Sequence, residues 1–333
     1  MKNFLSCGLL FLFLLGCSDS KKPDIAFYYW KTLFRLSQTE KKTLTENNVK
    51  KIYLRYFDIS MNTKGIPFPE SPIHFSQSTA GFIVVPVVYI KNKVFLNPNI
   101  AIRDLAEKTN SFITQINLQN KISCREIQID CDWTLESKVN YMKFVAAFKK
   151  ISDKKLSATI RLHQIKYFRK TGIPNVDHGV LMYYNMGKIG SDTMNSIYDK
   201  KIAALYLKSL KKYPLKLDVA IPIYSWGIHI QNGKVLGLKN KIAISSLQKD
   251  SNFIPLKNSF FRVKNSNYKK GTFYKKNDLI KQEYVTASDL LQMGDDLSED
   301  IGSKPKEIIF YDLDDLNIKQ YEKSIFKQIT DCF

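Results

Sequence analysis

From residue 25 onward the chain alternates short apolar runs with longer stretches whose apolar residues recur at helical spacing. The runs predict strands over residues 25–30, 51–59, 81–90, 127–134, 157–163, 179–185, 216–226 and 307–313. Helices are predicted over 38–48, 100–118, 136–151, 200–213, 287–297 and 319–330. The run 81–90 is almost continuously apolar and rich in valine, as expected of a parallel strand buried on both faces. Eight strands alternating with helices imply an α/β protein folded as a (β/α)8 barrel. An open doubly wound sheet would be expected to carry a glycine-rich turn after its first strand, and Tyr28-Tyr29-Trp30-Lys31 is nothing like one. Residues 24–333 are therefore read as the barrel. Residues 234–285, too long for a simple loop, are read as a small α+β insertion after the seventh strand.

Within the fourth strand, Gln128, Asp130, Asp132 and Thr134 fall on one face and apolar residues on the other. In a parallel barrel the ends of the strands build the mouth, where paired carboxylates are candidate catalytic groups. On the fifth strand Thr159, Arg161 and His163 share a face. The expected cluster is Asp130, Asp132, Arg161 and His163, with Arg161 paired to a deeper Asp130 and with Asp132 or His163 doing acid–base work. Glu136 and Asp312 are alternative acids, although strict alternation puts Tyr311 and Asp312 on opposite faces. Tyr29, Trp30, Tyr184, Tyr224, Trp226 and Tyr311 lie at or near strand ends, where ring faces stack on sugar CH groups.

Charge and the N-terminus narrow the setting. The 333 residues carry 51 Lys and Arg against 31 Asp and Glu, a net charge of +20. Residues 234–285 hold twelve of the cations and three of the acids, a composition suited to anionic lipid or acidic polysaccharide. The apolar run 4–15 is too short to span a bilayer. It reads as a signal peptide over residues 1–16. Leu14-Leu15-Gly16-Cys17 resembles a bacterial lipobox, which implies a lipid on Cys17 and a polar tether over 17–23. The expected location is the cell envelope, with a membrane as partner and no nucleic acid. Cys124 and Cys131 lie along one extended run, too far apart to bond to each other, so no disulfide framework is implied. No Cys/His spacing suggests a metal site, and no cofactor motif is present.

The order of motifs resembles the glycoside hydrolase family 18 barrel, the chitinase-like fold. Asp130, Asp132 and Trp133 match the second and third acids and the following aromatic of that family's fourth strand. Met182-Tyr183-Tyr184-Asn185 is similar to its Met-x-Tyr-Asp, Ala220-Ile221-Pro222-Ile223-Tyr224-Ser225 to its Gly-x-Pro-x-Tyr-Gly, and Tyr311 takes the place of its floor tryptophan. The resemblance implies catalysis through Asp130 and Asp132, with Arg161, His163, Tyr184, Asn185, Tyr224, Trp226 and Tyr311 lining a sugar site. The departures bear on mechanism: Ile127, Thr134 and Asn185 stand where the family has Asp, the general-acid Glu and Asp, and threonine cannot donate a proton as a general acid. The Asp-x-Asp strand and Met186-Gly187 also resemble an uncharacterised family of exported bacterial proteins, which implies no activity. Three readings follow: a glycan-active enzyme with a rearranged acid, an inactive chitinase-like glycan-binding protein, and an envelope scaffold.

Overall fold

The computed structural model describes residues 21–240 and 244–333. The predicted leader and Cys17 lie outside the described residues. Eight parallel strands close into a barrel: β1 (Asp24–Tyr29), β2 (Lys51–Met61), β3 (Ile83–Ile90), β4 (Glu126–Asp130), β5 (Lys155–Arg161), β6 (His178–Met182), β7 (Leu217–Pro222) and β8 (Glu307–Tyr311). Closure comes from β1, which pairs with β8 on one side (Ala26 beside Ile309) and with β2 on the other (Phe27 beside Ile52). Helices cover the outside, so outward strand residues such as Ile127, Ile129, Val219 and Ile308 are buried against them. No helix among the described residues is long and apolar enough to cross a membrane.

The barrel interior holds polar side chains that pair with one another, as buried polar groups tend to do. The Tyr28 hydroxyl donates to Gln128 Oε1 at 2.7 Å, Tyr53 to Glu307 Oε2 at 2.9 Å and Ser157 to Glu126 Oε1 at 2.8 Å. Alternation therefore places Gln128 and Asp130 inward, as expected, and Glu126 with them. It does not continue to residue 134, because β4 ends at Asp130. Beyond it Trp133 turns outward to bury itself, stacking on Tyr141 at 4.5 Å and 12° and donating through Nε1 to the Thr171 carbonyl at 3.1 Å. Burial of a tryptophan outweighs two further residues of strand. Likewise β5 stops at Arg161, where a short helix, Leu162–Lys166, begins and Gln164 Oε1 accepts the Arg161 N–H at 2.8 Å.

After β7 the chain builds a five-stranded antiparallel sheet in the order Lys234–Asn240, Trp226–Gln231, Leu279–Glu283, Phe260–Val263, Phe253–Pro255. It starts at Trp226, earlier than the basic composition suggests, and Trp226 does not extend β7. Leu247, Phe253, Phe261, Val263, Tyr274 and Ile280 form its own small core. A hairpin, Asn267–Lys269 with Thr272–Tyr274, turns through Lys270 and Gly271, both at positive φ, as a two-residue hairpin loop requires.

Candidate functional site

At the ends of the strands opens a cavity of about 390 Å³, and most of the sequence-predicted residues meet there. Asp130, the last residue of β4, is buried, and its Oδ1 accepts a hydrogen bond from Thr159 Oγ1 at 2.7 Å. Burial, and then the neighbouring Asp132 carboxylate, push its pKa up to about 7. Asp132 stands further out and is partly exposed. Its carboxylate receives Arg161 Nε at 2.5 Å and also pairs with the guanidinium's terminal nitrogen. The expected pairing is thus corrected: Arg161 holds Asp132 rather than Asp130, because its long side chain, rooted at the last residue of β5, reaches past the strand ends to the loop.

Aromatic side chains form the rest of the wall. Tyr311 is the hub, stacked on Tyr184 at 5.5 Å and 26°, edge-on to Tyr224 at 5.7 Å, and 5.4 Å from Trp30. Trp226 packs 5.3 Å from Tyr224 and donates through Nε1 to Glu283 Oε2 at 2.8 Å. Asn185, held at φ 54°, accepts the Tyr224 hydroxyl at 2.5 Å. Tyr29 is absent from this wall: it is fully buried, its hydroxyl bonded to the Leu33 and Arg35 carbonyls.

Other expectations change with the strand ends. Thr134 is exposed and lies off the main cavity, its backbone N–H donating to Ser137 Oγ at 2.9 Å. Glu136 is also exposed and accepts from the Thr134 hydroxyl at 3.2 Å rather than facing the cavity. His163 sits in the first turn of Leu162–Lys166, not on β5, and so does not face Asp130. It lines, with Thr134 and Tyr206, a side lobe of about 360 Å³ that meets the main cavity at Asp132, Arg161, Tyr184 and Asn185. Partial burial and then the Arg161 charge push its pKa down. Asp312 does line the cavity beside Tyr311, and Asn317 Nδ2 donates to it at 2.5 Å.

Sequence reasoning missed Tyr89 and Asp58. Tyr89, adjacent to Asp130 in the β3–β4 register, is raised to about 12 by burial and the Asp132 charge. Its signal, one polar-tipped residue in a valine run, was weak. Asp58 reaches the cavity because β2 shifts register between Arg55 and Phe57, and Arg55 clamps it with Nε to Oδ1 at 2.8 Å and Nη2 to Oδ2 at 2.7 Å. The break in polar alternation between Arg55 and Asp58 was the available clue.

No family model and no curated protein matches the chain. Solved structures do. The spore cortex-lytic enzyme SleL of Bacillus megaterium superposes with a TM-score of 0.55 at 11% identity, over 94% of this chain and 75% of that one. A chitinase from Bacteroides thetaiotaomicron gives 0.52 at 9% identity, over 93% and 97% of the two chains. A chitinase from Chromobacterium violaceum gives 0.51 at 12% identity, over 93% and 99%. The fold is that of a chitinase-like (β/α)8 barrel. At such identities the likeness speaks for the fold and leaves the chemistry of the site to its own residues. In this chitinase-like barrel the acid nearest the open mouth on the β4 side is Asp132, and Thr134 is displaced from it.

Proposed function

We propose that the mouth of this barrel binds a glycan chain. The observation that carries the reading is the convergence of Trp30, Tyr184 and Tyr224 on Tyr311, with Trp226 packed on Tyr224, in one cavity that also presents Asp130, Asp132 and Arg161. Apolar ring faces stack on pyranose CH surfaces, while the Asp132–Arg161 pair and Asn185 offer donors and acceptors for hydroxyl and amide groups. Chitinases among the structural neighbours make oligomers of N-acetylglucosamine the first probe. Titration calorimetry should show binding by the native protein, reduced at least about tenfold in Tyr311→Leu, the loss of one stacking platform. Equal affinity in the two proteins, or no binding of any oligosaccharide in a broad panel, would remove the glycan reading.

A specific feature favours turnover as a second reading. Burial and the neighbouring carboxylate raise Asp130 to about 7, beside the Asp132–Arg161 ion pair, and a carboxyl group with a raised pKa is the equipment of general acid catalysis. Release of reducing ends from the same oligomers, abolished in Asp132→Asn, is its test. We also propose, on the strength of Leu14-Leu15-Gly16-Cys17, that a lipid on Cys17 displays the barrel at an envelope membrane. Mass spectrometry of the N-terminal peptide, with Cys17→Ser as control, decides this.

A further inference from the structure

The opposite end of the barrel carries a second cavity, of about 360 Å³, that the glycan reading leaves unused. Here the strand starts converge and their acids are occupied from within. Lys51 pairs with Glu307 and, at 3.5 Å, with Glu126. His178 Nε2 lies 3.3 Å from Glu126 and 3.5 Å from Asp218. Asp218 Oδ1 also accepts the backbone N–H groups of Lys306 at 2.7 Å and Glu307 at 3.0 Å.

The rim is of opposite character. Lys155, Lys216, Lys304 and Lys306 are exposed around the opening, and the loops feeding β2 and β4 add exposed Lys50, Lys121 and Arg125 at the same end. The acids in the loops at this end are engaged: Asp24 with Lys21 at 3.0 Å, Asp153 with Lys154 at 2.9 Å, and Asp177 with Lys149 at 3.2 Å. The described chain also enters here, since the Asp24 N–H donates to the Lys306 carbonyl at 2.8 Å. Lys21 follows Cys17 by four positions, a span of at most about 14 Å.

We propose that this lysine-rimmed base is a docking surface for an anionic lipid bilayer, its cations set against headgroup phosphates. The short tether argument rests on the lipid-anchor reading, whereas the charge complementarity stands without it. Docked this way, the barrel turns its mouth away from the bilayer. The lysines of the inserted sheet, whose first strand begins at the mouth with Trp226, then serve some other contact. The base contacts the membrane, although composition alone points to residues 234–285.

The full chain reconstituted on vesicles of one-third phosphatidylglycerol in phosphatidylcholine, or of phosphatidylcholine alone, allows lysine acetylation rates to be read by mass spectrometry. Lys155, Lys216, Lys304 and Lys306 should react about fivefold or more slowly on the anionic vesicles, and the protection should vanish in 1 M salt, where the screening length is about 3 Å. Lys264, Lys275 and Lys276 should react alike on both. Equal rates at the four base lysines would overturn the proposal, as would protection of the insertion lysines instead. Mass spectrometry of the N-terminal peptide separates the two readings: an unacylated Cys17 removes the lipid anchor, while base protection on vesicles is still measured in its own right.

Discussion

Asp130→Asn is expected to make the protein more stable above neutral pH. In the native state burial, and then Asp132, raise Asp130 to about 7, against an ordinary carboxylate value of 3.8. A carboxyl group whose folded pKa is raised contributes stability below its unfolded pKa, and loses that contribution as pH climbs through the folded value. At roughly 1.4 kcal/mol per tenfold change in proton affinity, the native state gives up on the order of 4 kcal/mol between pH 4 and pH 8 on account of this one group. Asparagine keeps an oxygen that accepts the Thr159 hydroxyl and never ionises. Arg161 keeps its ion pair, since the paired carboxylate is Asp132. Urea unfolding at intervals from pH 4 to pH 8 should show wild type losing stability across this window and the variant losing less. By pH 8 Asp130→Asn should be ahead by a few kcal/mol. Parallel pH profiles, or a variant weaker than wild type at pH 8, would refute both the pKa assignment and the pairing from which it follows.

Asp132→Asn should act in the other direction, costing about 1 kcal/mol because the lost ion pair is partly exposed, and weakening oligosaccharide binding about tenfold or more in calorimetry. Thr134→Glu should leave turnover of N-acetylglucosamine oligomers at the wild-type level, because residue 134 lies off the main cavity; gain of hydrolysis in a reducing-end assay would contradict this placement. At the base, burial pulls His178 down, but the hydrogen bond and charge of Glu126 outweigh it and leave its pKa raised, so its contribution is complete below its unfolded pKa and fades as pH rises through the folded one. His178→Gln should therefore cost roughly 2 kcal/mol at pH 5.5 and less at pH 9, and a cost independent of pH in urea unfolding would rule out the charged pairing.

The sequence by itself determined the barrel and the face on which its chemistry sits. Eight apolar runs separated by helical spacing leave little else to build, and strict alternation already set Asp130 inward and Ile127 and Ile129 outward. Both follow from the two-residue period of an extended chain, a local property that each segment carries with it. Tertiary structure decided where each strand stops, and with that which side chains meet. Trp133 found its stacking partner on a helix that follows it, so β4 ended at Asp130 and Thr134 left the cavity. His163 went into a helix, and Arg161 was left to reach Asp132. Asp58 enters the site through a register shift that the barrel imposes on β2, and Tyr89 enters because its strand lies beside Asp130. The base is the clearest case: Lys51, Glu126, His178, Asp218 and Glu307 come from five separate strand starts, and only closure of the barrel brings them together. Local periodicity tells which way a side chain points, whereas a contact between residues far apart in the chain depends on the register and closure of the whole sheet.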